Sequence, residues 1–260
     1  MRPSRGLGPW WLALIFVGAF LYLPIVVLIV MSFNESKSPL NWGGFSFRWY
    51  VDLFGNVDLM SAALTSLYVG VGAMLIATPL GTLLAIGLTR YSRSRLMEGV
   101  AMAPALAPDL LLGIGLLSIY SVLDINRSAT TILFAHAAFG IAFVVAIVRA
   151  RLAGSDPALE EAARDLGATE FGALWRVTLP LIAPAVVAGA LLVFTLSLDE
   201  YVIAYFTAGP TTATLPMAIY SQIRFGVSPE LNALATILVL VSVIAVVITA
   251  RIFRRSETRT

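Results

Sequence analysis

From Trp10 to Met31 the chain runs for 22 residues without a charged side chain. A helix of that length rises about 33 Å, enough to cross a hydrocarbon core of ~30 Å. The run is too long for the apolar region of a secretory signal and lacks a clear cleavage site, so it reads as an uncleaved anchor. Apolar runs of similar length recur at about 61–88, 96–123, 129–148, 181–206 and 231–250. Together they predict an all-α, polytopic membrane protein with six transmembrane helices. One transmembrane domain is expected to cover 1–260, with a single long polar interruption at 149–180. Composition closes off a soluble alternative: 59% of residues are hydrophobic and only 12% charged, against about 25% charged in a soluble domain.

What the chain lacks excludes several chemistries. There is no cysteine, hence no disulfide, thiolate metal site or cysteine nucleophile. The only lysine, Lys37, has no glycine-rich loop ahead of it, which removes a phosphate-binding P-loop. A process driven by ATP and magnesium would need another chain to bind them. The single histidine, His136, rules out paired-histidine zinc motifs. No metal ligand or catalytic group is predicted. A net charge of +2 and a pI near 9.1 do not argue for nucleic acid, because the arginines flank apolar runs, where topology accounts for them.

Six spans put both termini on one side. Arg2, Arg5, Arg90, Arg93, Arg95, Arg149, Arg151, Arg164, Arg176, Arg251, Arg254, Arg255 and Arg259 fall on the face shared with the central loop. Lys37, Arg48, Arg127 and Arg224 fall on the other, which accounts for all 17 basic residues. Basic residues stay in the cytoplasm, so the termini and the central loop are expected there.

That loop has the grammar of helix, sharp turn, helix. Asp156 suits an N-cap and Pro157 the first helical position. Glu160 and Glu161 lie near the positive end of the helix dipole. Ala158, Ala162 and Ala163 favour a helix with a small-residue face, and Gly167 stands where a left-handed C-terminal cap is expected. Thr169 caps a second short helix, and Pro180 and Pro184 open the next apolar run. Such a helix either inserts into a groove on a partner protein or lies on the membrane surface.

Three acidic residues fall inside apolar runs: Asp109, Asp199 and Glu200. Each carries an insertion cost of about 2.5–3.5 kcal/mol in lipid, so each should face a cavity, a partner or a path. With no arginine or lysine in the runs to neutralise them, they suit a cationic passenger. Asp109 should lie roughly 20 Å from the inner end of its span. Alternatively, the helix breaks at Pro104 and Pro108 and Asp109 caps the restarted half. Asp199 and Glu200 fall roughly 29 Å past Pro180, in the outer half of the membrane or at a wet helix end. Adjacent helical residues point about 100° apart, and of the two Asp199 is preferred for the path. His136 reads as a packing or hydrogen-bonding residue before a proton relay. Trp42, Trp49 and Tyr50 read as an interfacial aromatic belt, or as cation–π partners of a positively charged ligand or contacts for a delivery protein. Small residues at Gly70, Gly72, Gly81, Gly87, Gly113, Gly115 and Gly189 permit close helix packing.

The pattern Glu161-Ala162-Ala163, three residues, Gly167, nine residues, Val177-Thr178-Leu179-Pro180 resembles the EAA loop of ATP-binding-cassette importer permeases, with Val177 where isoleucine is usual. The resemblance implies the type I importer permease fold and a coupling helix at about 157–166 that docks on a cytoplasmic ATPase. Glu160, Glu161, Ala162, Ala163, Asp165, Gly167, Leu179 and Pro180 would serve that coupling. Other stretches are similar to the spermidine/putrescine permeases of the family: Asn41-Trp42 with Gly44-Phe45 and Trp49-Tyr50, Ala107-Pro108-Asp109-Leu110, Phe194 to Asp199, and Gly226 to Ile237. This implies an inner-membrane subunit of a bacterial polyamine importer. It would work with a second homologous permease, an ATPase dimer carrying ATP and magnesium, and an extracytoplasmic binding protein. Asp109, Asp199, Glu200, Trp49 and Tyr50 are the expected path residues. The alternatives are another small-solute cargo in the same family, against which three carboxylates argue if it is an anion, and a proton-coupled transporter relaying through Asp109, Asp199, Glu200 and His136.

Overall fold

The computed structural model describes residues 10–38, 41–92, 94–223 and 228–257, with the side chains of 242 and 245–257 excepted. Arg2, Arg5, Arg93, Arg224, Gly226, Val227 and Arg259 therefore lie outside the described residues, as do the side chains of Arg251, Arg254 and Arg255. The described elements are helices: α1 (Trp10–Met31), α2 (Arg48–Gly55), α3 (Val57–Arg90), α4 (Arg95–Leu106), α5 (Asp109–Val122), α6 (Ala129–Ala153), α7 (Ala158–Asp165), α8 (Glu170–Ala173), a π-turn (Leu174–Thr178), α9 (Leu179–Asp199), α10 (Val202–Thr207), α11 (Leu215–Ile223) and α12 (Pro229–Glu257). They group into two compact units, one of Met1–Val57 with Ser221–Ile244, the other of Asp58–Tyr220 with Ala245–Thr260.

Among the described residues, four helical segments are long and apolar enough to cross a membrane: α1, α3, α6, and the run Glu170–Asp199 through α8, the π-turn and α9. The expected third span is not one straight helix. It is α4 followed by α5, bent by 103° at Ala107–Pro108. Pro108 cannot donate a backbone N–H and restricts the residue before it to extended backbone; Ala107 sits at φ −74°, ψ 140°. The expected fifth span breaks as well. Its helix stops at Asp199, Glu200 is extended, and α10 starts afresh at Val202. The sixth falls on α12, where Pro229–Val241 forms the described apolar part. Two expected loops carry helices: α2 lies within 34–60 and α11 within 207–230.

In the first unit, α1 has no buried residue. The loop after it is organised by Asn34, whose Oδ1 accepts from the Gly43 and Ser36 amides and whose Nδ2 donates to the Asn41 carbonyl at 2.8 Å. Phe33 stacks on Phe45 and meets Phe47 edge-on.

The second unit is built on α3, α6 and α9. Small residues let these helices approach. A Cβ on Gly81 would meet Val144 at 2.6 Å, and one on Gly140 would meet Val193 at 2.7 Å. Ala73, Ala77, Val144, Val145, Val148, Ile182 and Val193 fill the shared core. Gly72 and Gly189 also pack closely, against Leu133 and Val144, whereas Gly87 and Gly115 face open space. At one end of the bundle Arg149 of α6 pairs with Glu98 of α4 at 2.7 Å.

Candidate functional site

Two regions of the second unit hold most of the singled-out residues. The first lies where the two interrupted spans meet. Helix α5 packs alongside α10. Their approach depends on Gly113, where a Cβ would come within 2.8 Å of the Phe206 ring. Asp109 stands one turn before Gly113, on the same face. The packing of α5 on α10 leaves Asp109 close enough to the α9–α10 junction for its charge, like that of Asp199, to bear on Glu200. The three predicted acids are thus brought together by two helix breaks.

Their local settings differ. Asp109 is the first residue of α5, exposed, at the end where the helix dipole welcomes negative charge. Glu200 is half-buried and its Oε1 accepts from the Ile203 amide at 2.8 Å, capping α10. Asp199 is exposed and ends α9, so its charge adds to the partial negative charge of the last carbonyls. None of the three forms an ion pair among the described residues. Arg127 is bonded to the Phe206 carbonyl near the far end of α10. The junction is therefore a concentration of negative charge with no counter-ion paired to it among the described residues.

Sequence reasoning passed over the aromatic rings here. Tyr201 stacks on Tyr220 with centroids 4.4 Å apart and lies 5.8 Å from Tyr205. The one available signal was that Tyr201 directly follows the acidic pair. His136 is fully buried on α6, its Nδ1 2.7 Å from Ser197 Oγ on α9, two residues before Asp199. Its Nε2 finds no hydrogen-bond partner among the described residues.

Trp49 and Tyr50 belong to the first unit. Trp49 is 3% exposed and donates its indole N–H to the Asn34 carbonyl at 2.5 Å, while Arg48 lies over its ring. The Tyr50 hydroxyl bonds Ser32 Oγ at 2.7 Å. Both rings hold the loop together, and Trp42 is the exposed one.

The second region is the central loop. Asp156 Oδ1 accepts from the Ala158 amide at 2.9 Å and starts α7. The helix ends in a Schellman turn: the Gly167 amide bonds the Arg164 carbonyl, the Ala168 amide bonds the Ala163 carbonyl, and Gly167 takes φ +92°. Thr169 Oγ1 accepts from the Gly172 amide and caps α8. Leu159, Ala162 and Leu166, spaced i, i+3, i+7, are all exposed, as are Glu161 and Asp165; Ala163 is half-buried. Leu179 is half-buried and Pro180 exposed at the start of α9. Glu160 turns inward. Its Oε2 accepts from Arg90 Nη2 of α3 and from Thr178 Oγ1 of the π-turn, the latter at 3.1 Å.

Residues 77–260 match the family model described as the binding-protein-dependent transport system inner membrane component. The chain belongs to that family. It is 43% identical, over 93% of its length and 92% of the relative's, to the spermidine/putrescine transport system permease protein PotC of Escherichia coli strain K12. It is 42% identical to the putrescine transport system permease protein PotI of the same strain, over 89% of this permease and 86% of that one. A solved bacterial ABC transporter involved in the import of the acidic polysaccharide alginate shares the fold, with TM-score 0.69 at 19% identity, covering 95% of this permease and 96% of that chain. The permease is accordingly a multi-pass membrane subunit of an ABC importer and not an enzyme.

Proposed function

We propose that the permease passes a polyamine, spermidine or putrescine, across the bacterial inner membrane, and that Asp109, Asp199 and Glu200 meet its ammonium groups on the way. The observation that carries this is the convergence of two helix breaks on three carboxylates that no arginine or lysine of the described chain neutralises. Interrupted helices are where membrane transporters build solute sites, because freed backbone and helix ends can face a cavity. Two or more separated positive charges on the solute complement such a junction, and an anion opposes it. The polyamine permeases among its relatives support the same cargo.

The partners follow from the family. A second homologous permease completes the path, an extracytoplasmic binding protein delivers the solute to the outer loops, and a cytoplasmic ATPase dimer holds ATP and magnesium. In a solved relative, an alginate ABC transporter is in complex with an alginate-bound periplasmic protein. The basic residues flanking the spans favour cytoplasmic termini and a cytoplasmic α7. There the exposed stripe of Leu159, Ala162 and Leu166, edged by Glu161 and Asp165, docks on the ATPase. Gly167 sets the turn after it, and Leu179 and Pro180 pass the motion into α9. Trp49 and Tyr50 act by shaping the loop on which the binding protein lands.

The test is ATPase stimulation and uptake by the reconstituted complex with spermidine, putrescine, sulfate and a neutral sugar. Stimulation by the first two alone is expected. Equal stimulation by sulfate would remove the charge argument.

A further inference from the structure

The inward turn of Glu160 separates it from its neighbours in the loop. Glu161 and Asp165 are exposed, but the Glu160 side chain is 20% exposed and that of Arg90 is 21% exposed. Arg90 is the last residue of α3. Its Nη2 donates both to Glu160 Oε2 and to Thr178 Oγ1, the second at 2.7 Å. Thr178 is 4% exposed and donates to the same Glu160 oxygen. It closes the π-turn immediately ahead of α9. Three elements far apart in sequence therefore share one closed triangle: α7, the cytoplasmic end of α3, and the root of α9. Arg164 adds a fourth edge, 3.9 Å from Glu160 Oε1 and 3.2 Å from Glu170.

We infer that Arg90, Glu160 and Thr178 are positioning residues that transmit the movement of α7 to two spans at once, and that Glu160 does this from inside the subunit without touching the ATPase. A helix of eight residues has little grip of its own on the bundle. Charge-assisted hydrogen bonds in a half-buried site are directional and strong. The triangle therefore makes α7 push α3 and α9 as one body. Helix α9 ends at Asp199, so the stroke reaches the acidic junction along a single rod. The π-turn gives Thr178 its sideways aim at α3.

The inference rests on the reading that α7 meets an ATPase, and the experiment separates the two. In the reconstituted complex, Glu160→Gln, Arg90→Ala and the double variant are compared for ATPase retained on purification and for solute moved per ATP hydrolysed. Each single variant is expected to retain the ATPase yet lower the transport ratio about tenfold, the scale of a lost charged hydrogen bond. The double variant should be no worse than either, because the two act as one link. Additive losses would overturn the link. Loss of the ATPase from Glu160→Gln, with retention by Arg90→Ala, would make Glu160 an interface residue and overturn it too. If neither assembles, Thr178→Val, which keeps both charges, decides: a lowered ratio upholds the triangle and an unchanged one ends it. Wild-type complex that moves solute without ATP would instead sink the ATPase reading itself.

Discussion

The central loop and the acidic junction are assembled by opposite means. Every turn of the loop is dictated within a few residues: Asp156 starts α7, Gly167 ends it, and Thr169 starts α8. The junction has local parts, the Pro108 break and the Glu200 cap on α10, but nothing local brings them together. Asp109 and Glu200 are 91 residues apart, and their charges come within reach of each other because two helices break and Gly113 admits Phe206. The loop has to keep its shape while a partner pushes on it. The junction has to hold charges in place that its own chain leaves uncompensated. Local capping suits the first task, and tertiary packing, which can be rearranged by moving whole helices, suits the second.

The largest expected effect sharpens that contrast at the junction. Asp109→Asn combined with Asp199→Asn should cut polyamine uptake by at least about a hundredfold, each carboxylate contributing a charged contact of ~1.5–3 kcal/mol. Uptake by vesicles holding the full complex, with assembly checked on gels, measures it; wild-type rates would detach the junction from transport. Next is Gly113→Val. Overpacking there should cost about 1–3 kcal/mol and lower uptake by driving α5 off α10, although no charge has changed. Adding Phe206→Ala should restore part of the loss, and no recovery would mean that Gly113 acts elsewhere.

Two smaller effects test the loop. Gly167→Ala forces a Cβ into a left-handed turn, at about 1–2 kcal/mol, and should speed hydrogen exchange in 158–168 while leaving polyamine affinity alone. Thr169→Ala removes a single cap, worth ~1 kcal/mol, and should speed exchange only around 170–173. If either variant shifted the apparent affinity for polyamine as strongly as the aspartate pair, the division between the two regions would fail.

The same division explains what was legible in the sequence. Caps, the left-handed glycine and the apolar runs are short-range signals, and the loop unfolds from them residue by residue. Pro104 and Pro108 announced trouble in the third span, yet the 103° bend depends on what α4 and α5 each pack against. Which face of α5 carries Asp109 was likewise hidden, since rotation about a helix axis is set by neighbours such as Phe206. Trp49 illustrates a signal that the sequence leaves ambiguous. Its aromatic ring suggested a surface role, but an indole N–H finds a carbonyl where it can, and the Asn34 loop supplies one inside the fold. Glu160 and Glu161 look equivalent as neighbours; only the arrival of Arg90 and Thr178 tells them apart.

The five-residue π-turn at Leu174–Thr178 has a further result for how this subunit tolerates change. A wide turn of this kind amounts to one surplus residue in an otherwise regular coil. Deleting one residue there would let the coil tighten to a regular α-helix, and the residues beyond it would keep their directions, whereas a deletion inside α9 would swing everything beyond it through about 100°. Ser197 would still face His136, and the loss would be confined to the turn itself, where Thr178 bonds Arg90 and Glu160. Length is thus a looser requirement at this spot than further along the rod, and single-residue deletion between 174 and 178 should be milder than the same deletion within 185–195.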